Sequence, residues 1–222
     1  IEDEGYAHVL VDEAQDLSPM QWRMVGRRGR LASWTIVGDL AQSSWPVPQE
    51  SIAARAEALG SKAVHEFTLT KNYRNSAEIY EFATRAAKHT IENPDIAQAV
   101  RRTGQHPRHE MVTEHDLIAR VRTEASALLD RVGGSVAVVA TGASLERLGH
   151  ELADIRSQDQ RLRVLDPMVT KGLEFDAVLL VNADEIVNEA EAGWRTLYVV
   201  LTRATQELVT VGTSDVWLKA LG

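Results

Sequence analysis

The chain has 222 residues, 44% of them hydrophobic, which is enough for one large domain or two small ones with a real core. Its 24 basic and 32 acidic residues give a net charge of −8, which argues against a main affinity for nucleic-acid phosphates. A chain of this net charge can still contain a local basic groove. The absence of cysteine excludes disulfides, zinc–thiolate sites and cysteine catalysis, and it fits a reducing cytoplasm.

The longest apolar runs of the chain have the length of strands. Residues 177–181, for example, are too few to span a bilayer, so no membrane partner is expected. The N-terminus has no basic-then-apolar signal pattern, and we expect a cytoplasmic protein. Residue 1 lies only a few positions before an apolar strand, so we also expect the chain to be part of a longer protein.

Two α/β segments are predicted, because short apolar runs alternate with amphipathic stretches as they do in parallel sheets with crossover helices. In the first segment, Ser18 is expected to cap a helix with Pro19 in its first turn, between strands at 6–11 and 34–37. A helix near 49–59 and a short strand at 67–69 follow, and the domain boundary is expected there.

The second segment begins with a helix at about 76–89, followed by a polar stretch at 93–109 that predicts a loop or linker. Helices are then expected near 114–131, 144–156 and 194–204, with strands at 136–140, 163–165, 177–181 and 208–211. The predicted fold class is therefore α/β, with one domain at 1–68 and a second at 69–222.

The strongest chemical signal is an apolar strand that ends in two adjacent carboxylates, Asp12 and Glu13. Ligands of open parallel sheets gather at the carboxyl ends of the strands. One carboxylate there can hold Mg²⁺, usually through water, while its neighbour orients or deprotonates an attacking water. The alternative is a strand that runs into an ordinary acidic surface loop.

Two polar stretches contain side chains suited to phosphate. Gln42 follows the second strand and a glycine turn, and its amide can donate to a phosphate oxygen and accept from a water; alternatively, 38–43 is only a polar loop. Arg74 presents a fork of donors suited to a γ-phosphate beside Tyr73, whose ring could stack on a base. The alternative for this pair is a surface ion pair beside an exposed aromatic.

Two stretches in the second half complete the set of candidates. Gly172 lets the backbone approach a ligand closely, and Glu174 could accept hydrogen bonds from ribose hydroxyls; the alternative is a glycine turn that enters a core strand. Arg203 lies near the end of a predicted helix with a buried apolar face. An arginine at such a position often only neutralises the helix C-terminus.

The order of these stretches is more specific than any one of them. DEAQD, GDLAQ, NYR, KGLEFD and YVVLTRA follow one another as motifs II to VI do in superfamily 1 helicase motors, and the chain resembles the UvrD/Rep/PcrA branch over nearly its whole length. The resemblance implies RecA-like (P-loop NTPase-type) parallel sheets. It places the C-terminal part of a first motor domain at 1–68 and a second motor domain at 69–222, in an enzyme that hydrolyses ATP with Mg²⁺.

The resemblance also implies roles for the motif residues of the first domain. Asp12 would bind Mg²⁺, Glu13 would activate the hydrolytic water, and Gln42 would sense the γ-phosphate.

In the second domain, Tyr73 would stack on adenine and Glu174, after Gly172, would contact the ribose. Arg74 and Arg203 would be two arginine fingers that reach the γ-phosphate. Because fingers supplied from a second domain stabilise transition-state charge only when the cleft closes, hydrolysis would be coupled to a domain motion.

The sequence departs from the helicase pattern in two ways. It contains no GxxxxGKS/T phosphate loop, so the chain alone is expected to bind ATP weakly and to hydrolyse it negligibly, with the loop expected upstream. Its nucleic-acid contacts look weakened. Of the two aromatics that follow motif III in the family, Trp45 is present and Val47 replaces the other, while Asp166 and Met168 stand where motif V has Thr and His.

A chain that keeps the ATP motifs but has altered nucleic-acid contacts resembles the HelD-type motors of Gram-positive bacteria, particularly the actinobacterial kind. These motors bind RNA polymerase and release it from nucleic acid. The interval between Arg74 and Lys171 is also too short for the large insert of the UvrD branch, and the runs 17–21, 100–104 and 201–206 favour the same match.

Three hypotheses remain open from the sequence. The first is the motor part of a HelD-like RNA polymerase recycling factor, with RNA polymerase as partner. The second is the C-terminal part of a UvrD/Rep-like DNA helicase with relaxed strand contacts. The third is a catalytically silent RecA-like binding module, which would have no need of both carboxylates and both arginines together.

Overall fold

A computed structural model describes residues 6–43, 48–89, 96–189 and 192–222. The chain divides into two compact units, Ile1–Thr68 and Leu69–Gly222, which are described separately. Both contain parallel strands joined through helices, so the predicted α/β class is confirmed.

In residues 6–43 and 48–68, the first unit contains two strands and two α-helices: β1 (His8–Val11), α1 (Pro19–Arg28), β2 (Ser33–Ile36) and α2 (Pro48–Leu59). β1 and β2 are parallel, with Val9 opposite Trp34. Apolar side chains from both strands and both helices form the core, in which Trp22 is fully buried and its Nε1 donates to the Ser51 hydroxyl at 3.1 Å.

The predicted start of α1 is confirmed. The Ser18 hydroxyl accepts from the Gln21 N–H at 3.3 Å, the Gln21 side chain accepts from the Ser18 N–H at 2.8 Å, and Pro19 is the first helical residue. Two backbone N–H groups that have no partner inside the helix are satisfied in this way, which is why such a helix start is visible in the sequence.

The second unit is built on a five-stranded parallel sheet in the order β5-β9-β8-β6-β7. Its strands are β5 (Arg108–Met111), β6 (Val136–Val139), β7 (Leu162–Leu165), β8 (Phe175–Val181) and β9 (Ala204–Gly212). A separate parallel pair is formed by β3 (Lys71–Ser76) and β4 (Gln98–Arg101). The helices are α3 (Ala77–Ala87), α4 (Leu117–Arg131), α5 (Gly142–Glu151), α6 (Ala153–Gln158), α7 (Ala183–Glu189), α8 (Gly193–Leu201) and α9 (Val216–Ala220).

The core of this unit lies on the central strands. Every residue of β6 is buried, as is most of β8, which explains why their sequences are continuous apolar runs. Side chains of α4 and α5 cover this sheet, among them the fully buried Val121, Leu128 and Leu148.

Three sequence predictions were wrong. No strand forms at Phe67–Leu69: Phe67 is 90% exposed, and an alternating triplet without a neighbouring strand has nothing to pair with. The polar stretch 93–109 contains β4 and part of β5, both polar because β4 pairs only with β3 and β5 is a sheet edge. The helix expected at 144–156 is two helices, interrupted at Leu152.

Glu124 fastens α4 to the edge of the sheet. Its side chain is almost completely buried and accepts hydrogen bonds from Arg131 at 2.8 Å and from Arg108 of β5. Burial by itself raises the pKa of Glu124, but the hydrogen bonds from Arg131 and Arg108 outweigh it and hold the pKa below its usual range.

Glu78, in the first turn of α3, holds the loop that follows β4. Its carboxylate accepts from the N–H groups of Gly104 at 3.0 Å and Thr103 at 3.3 Å. Its own backbone N–H and that of Gly104 lower the pKa of Glu78 from 4.5 to about 2, because they stabilise the ionised form.

Candidate nucleotide site

The acidic pair lies at the carboxyl end of β1. Asp12 is exposed, and its Oδ1 accepts from the Glu13 N–H at 2.9 Å. Glu13 has a left-handed backbone with φ 49°, which costs a non-glycine residue roughly 1–2 kcal/mol. Such strain is often found at functional sites.

Gln15 joins this acidic pair to the loop after β2, a role that the sequence did not reveal. Its Nε2 donates to Glu13 Oε2 at 2.6 Å, and its Oε1 accepts from the Asp39 N–H at 2.9 Å. The side chain is only 5% exposed. Gly38 makes this possible, because a Cβ at that position would lie 2.8 Å from Gln15 Oε1. The signal available in the sequence was Gln15 between Glu13 and Asp16 of DEAQD, together with Gly38 after the next strand.

Gln42 lies in the same loop. The residues Leu40–Gln42 form a short 3₁₀-helix that Asp39 caps by accepting from the Ala41 N–H at 2.9 Å, while the Gln42 Nε2 donates to the second oxygen of Asp39 at 2.8 Å. The first unit therefore brings Asp12, Glu13 and Gln42 into one hydrogen-bonded network through Gln15 and Asp39. Trp45 and Val47, the positions compared with the stacking aromatics of helicases, lie outside the described residues.

Arg74 and Glu174 meet in the second unit. Arg74 Nε lies 3.0 Å from Glu174 Oε2, and both side chains are about half exposed. Tyr73 is exposed beside them. Gly172, two residues before Glu174, has φ +73°, a conformation that L side chains rarely adopt, so glycine is required there by the turn.

Arg203 is buried, with 1% of its surface exposed. Its Nε donates to the carbonyl oxygen of Val199 at 3.0 Å, near the C-terminus of α8, and its Nη1 donates to the carbonyl oxygen of Leu173 at 3.1 Å. The first contact agrees with the structural alternative, in which this arginine neutralises the end of a helix. The second brings the guanidinium to the residue next to Glu174, the partner of Arg74.

Asp166 and Met168, the positions compared above with motif V of helicases, belong to a capped 3₁₀-helix. Asp166 caps the 3₁₀-helix Pro167–Thr170 by accepting from the Met168 N–H at 2.8 Å, and the Met168 side chain is exposed. An acid and a thioether thus lie at the surface of this segment. A carboxylate and a thioether offer a phosphate no hydrogen-bond donor.

Asp12 is the residue expected to bind Mg²⁺, and its surroundings can be compared with what a Mg²⁺ site requires. Within residues 6–43, 48–89, 96–189 and 192–222, no group of three or more His, Asp or Glu side chains could hold a metal ion by itself. Mg²⁺ in nucleotide sites is usually held by one or two carboxylates together with phosphate oxygens and water. A single exposed carboxylate at a strand end fits that requirement.

In the part of the chain that the structure describes, no helix is long and apolar enough to cross a membrane.

No protein-family model matches the chain, and no curated protein matches it. One similar solved structure is the C-terminal domain of a possible DNA helicase from Lactobacillus plantarum WCFS1, with 22% identity over 64% of this chain and 87% of that chain and a TM-score of 0.47. Another is PRRSV nsp10 (helicase), with 13% identity over 98% of this chain and a TM-score of 0.34; this chain spans 39% of its length. At these scores neither similarity supports an argument about function.

Proposed function

We propose that this chain carries motifs II to VI of a superfamily 1 motor that hydrolyses ATP with Mg²⁺. The observation that carries the proposal is that Arg74 and Arg203 contact adjacent residues, Glu174 and Leu173. Arg74 Nε lies 3.0 Å from the Glu174 carboxylate, and Arg203 Nη1 lies 3.1 Å from the Leu173 carbonyl oxygen. Arg74 is exposed enough to contact an anion directly, whereas the buried Arg203 would have to leave its carbonyl partners before both guanidinium groups could stabilise the charge of a transferring phosphoryl group.

The network of the first unit supplies the complementary chemistry. Asp12 would hold Mg²⁺ together with water and phosphate oxygens, and Glu13 would accept a proton from the attacking water. Gln15 fixes the Glu13 carboxylate at 2.6 Å, so that its free oxygen has a defined direction. Gln42 would contact the γ-phosphate.

The second unit would bind the nucleoside. Tyr73 would stack on adenine, and Glu174 would accept hydrogen bonds from the ribose. Because Glu174 is paired with Arg74 here, ATP would exchange this exposed ion pair for one contact to each side chain. Such a pair is worth roughly 0–1 kcal/mol, so the exchange costs little.

The first test is Glu13→Gln in the full-length natural protein that contains this sequence. We expect turnover to fall below about 1% of wild type, since general acid–base catalysis contributes about 10²–10⁴-fold, while the Kd for ATP stays within about twofold. Glu50→Gln, an exposed acid on α2, is the matched control and should keep full turnover. Unchanged turnover in Glu13→Gln would remove Glu13 from this role. The 222 residues alone, without a phosphate loop, are expected to be inactive.

The narrower proposal is a HelD-like factor that releases RNA polymerase from nucleic acid. Asp166 and Met168 support it, because an acid and an exposed thioether are poor contacts for a phosphate backbone. RNA polymerase should therefore stimulate ATP hydrolysis by the full-length natural protein more strongly than single-stranded DNA does. Strong stimulation by DNA alone, with strand unwinding, would instead establish the UvrD/Rep-like DNA helicase reading.

A further inference from the structure

Asn75 joins the two segments that carry the candidate arginine fingers. Its side-chain Nδ2 donates to the carbonyl oxygen of Thr202 at 2.8 Å and to that of Ala204 at 2.6 Å. These two residues are the neighbours of Arg203 on either side, and Asn75 itself follows Arg74 in the chain. The side chain is 2% exposed, so water cannot readily replace these bonds.

The acceptor atom of Asn75 is also used. Its Oδ1 accepts from Asn72 Nδ2 at 3.0 Å, and the Oδ1 of Asn72 accepts from the backbone N–H of Arg74 at 2.9 Å and of Asn75 at 3.2 Å. The pair of amides therefore fixes the backbone of Arg74 as well as the backbone around Arg203. Only a primary amide offers two donors and an acceptor from one short side chain, so no other residue of this size can make the same set of bonds.

Arg101 makes a second connection between the two segments that carry Arg74 and Arg203. The guanidinium of Arg101, on β4, donates to the carbonyl oxygens of Arg74, at 3.0 Å, and of Thr205. Arg101 thus joins the same two segments as Asn75, but from an exposed position.

We infer that Asn75, assisted by Arg101, is a positioning residue that holds Arg74 and Arg203 in a fixed relation so that both reach one phosphoryl group. The inference rests on the proposed function. It assigns no contact with substrate to Asn75: the amide acts through the two arginines. A displacement of about 1 Å at a reacting group can cost about 100-fold in rate, so loosening this connection should be visible in turnover.

The test uses Asn75→Ala in the full-length natural protein. We expect kcat to fall by about 10- to 100-fold, because the Asn75 amide fixes the backbone of Arg74 and the backbone around Arg203. In an Arg203→Ala background, which has already lost one finger, the same substitution should lower kcat by a smaller factor, because only the positioning of Arg74 remains to be lost. An equal fold-loss in both backgrounds would show that Asn75 acts independently of Arg203 and would overturn the inference.

Thr210→Val is the matched control for the loss of a buried hydrogen bond in the same unit. Thr210 is buried, its hydroxyl is bonded to His109 at 2.7 Å, and valine has the same shape. This control should keep kcat within about twofold of wild type, since it does not touch the arginine segments.

A readout without activity uses the Arg203 Nε–H signal in the NMR spectrum of the 222-residue chain. This group is buried against the Val199 carbonyl oxygen and should exchange slowly with water. Asn75→Ala should speed its exchange by at least about tenfold, whereas Thr210→Val should not. Unchanged exchange in Asn75→Ala would contradict the inference. If Asn75→Ala fails to fold, Arg101→Met is measured in its place. The Arg101 side chain is exposed, and its substitution should lower kcat by about 3- to 10-fold.

The outcomes separate the inference from the proposed function. Loss of turnover in Arg203→Ala with full turnover in Asn75→Ala would overturn the inference alone. Full turnover in both Arg74→Ala and Arg203→Ala would overturn the proposed function.

Discussion

Gly38→Ala tests the link between the acidic pair and the loop after β2. The added Cβ would lie 2.8 Å from Gln15 Oε1, 3.2 Å from Ala14 Cβ and 3.3 Å from Ala14 N. Ordinary contacts begin near 3.4 Å, so the Gln15 amide must move by about half an ångström or more. Because that amide holds both Glu13 and the Asp39 N–H, the movement is passed to the candidate general base.

The expected magnitude follows from two opposing effects. Overpacking of this kind costs about 1–3 kcal/mol, and alanine recovers about 0.4–1 kcal/mol by restricting the unfolded chain. The free energy of unfolding should thus fall by about 1–2 kcal/mol, and kcat for ATP should fall by about 10- to 100-fold.

Urea denaturation of the 222-residue chain measures the first quantity, and ATP turnover by the full-length natural protein measures the second. Gly149→Ala is the matched control: Gly149 lies inside α5 with open space around it, so alanine should raise stability by up to about 1 kcal/mol through helix propensity. If Gly38→Ala keeps both wild-type stability and wild-type turnover, the reasoning about the Gln15 bridge is refuted.

Two predictions concern the second unit. Because the pKa of Glu78 is lowered in the folded state, its contribution to stability is present above about pH 4.5 and lost as the pH falls towards about 2. In an acid titration followed by circular dichroism, the stability of Glu78→Gln should therefore decline less steeply than that of wild type in that window. An identical decline would contradict this role of Glu78. Glu124→Ala should lower the free energy of unfolding by about 1–3 kcal/mol in urea, less than a fully buried ion pair because Arg108 and Arg131 can turn into solvent; a change below about 0.5 kcal/mol would show that the carboxylate is dispensable.

Local signals made much of the fold predictable. The helix start at Ser18 depends only on neighbours within three residues, and the buried strands β6 and β8 show themselves as continuous apolar runs. Pairing is not a local property. The polar strand β4 and the start of β5 were predicted as loop because they gain their bonds from distant partners, and Phe67–Leu69 has a strand-like pattern with no partner.

The same distinction applies to the candidate site. Residue types and motif order pointed to Asp12, Glu13, Arg74 and Arg203, since the chemistry of phosphate and Mg²⁺ restricts which side chains can serve. The supporting contacts are long-range. Gln15 reaches a loop 24 residues away, and Asn75 reaches carbonyl groups 127 and 129 residues away, so neither role could be deduced from spacing.

The contacts of the buried Arg203 bear on both interpretations of this residue, as a cation that neutralises a helix end and as an arginine finger. The contact with Val199 satisfies the end of α8, and the contact with Leu173 connects the guanidinium to the residue before Glu174, the partner of Arg74. In the proposed function, the same donors turn to the phosphoryl group when ATP is bound.

The most direct measurement is a crystal structure of the full-length natural protein with Mg²⁺, ADP and a fluoride mimic of the transferring phosphoryl group. The account predicts that Arg74 and Arg203 each donate to the mimic at about 3 Å, with Asp12 on the Mg²⁺ side and Glu13 on the attacking water. A mimic contacted by neither guanidinium, with Arg74 still on Glu174 and Arg203 still on the Leu173 carbonyl, would contradict it.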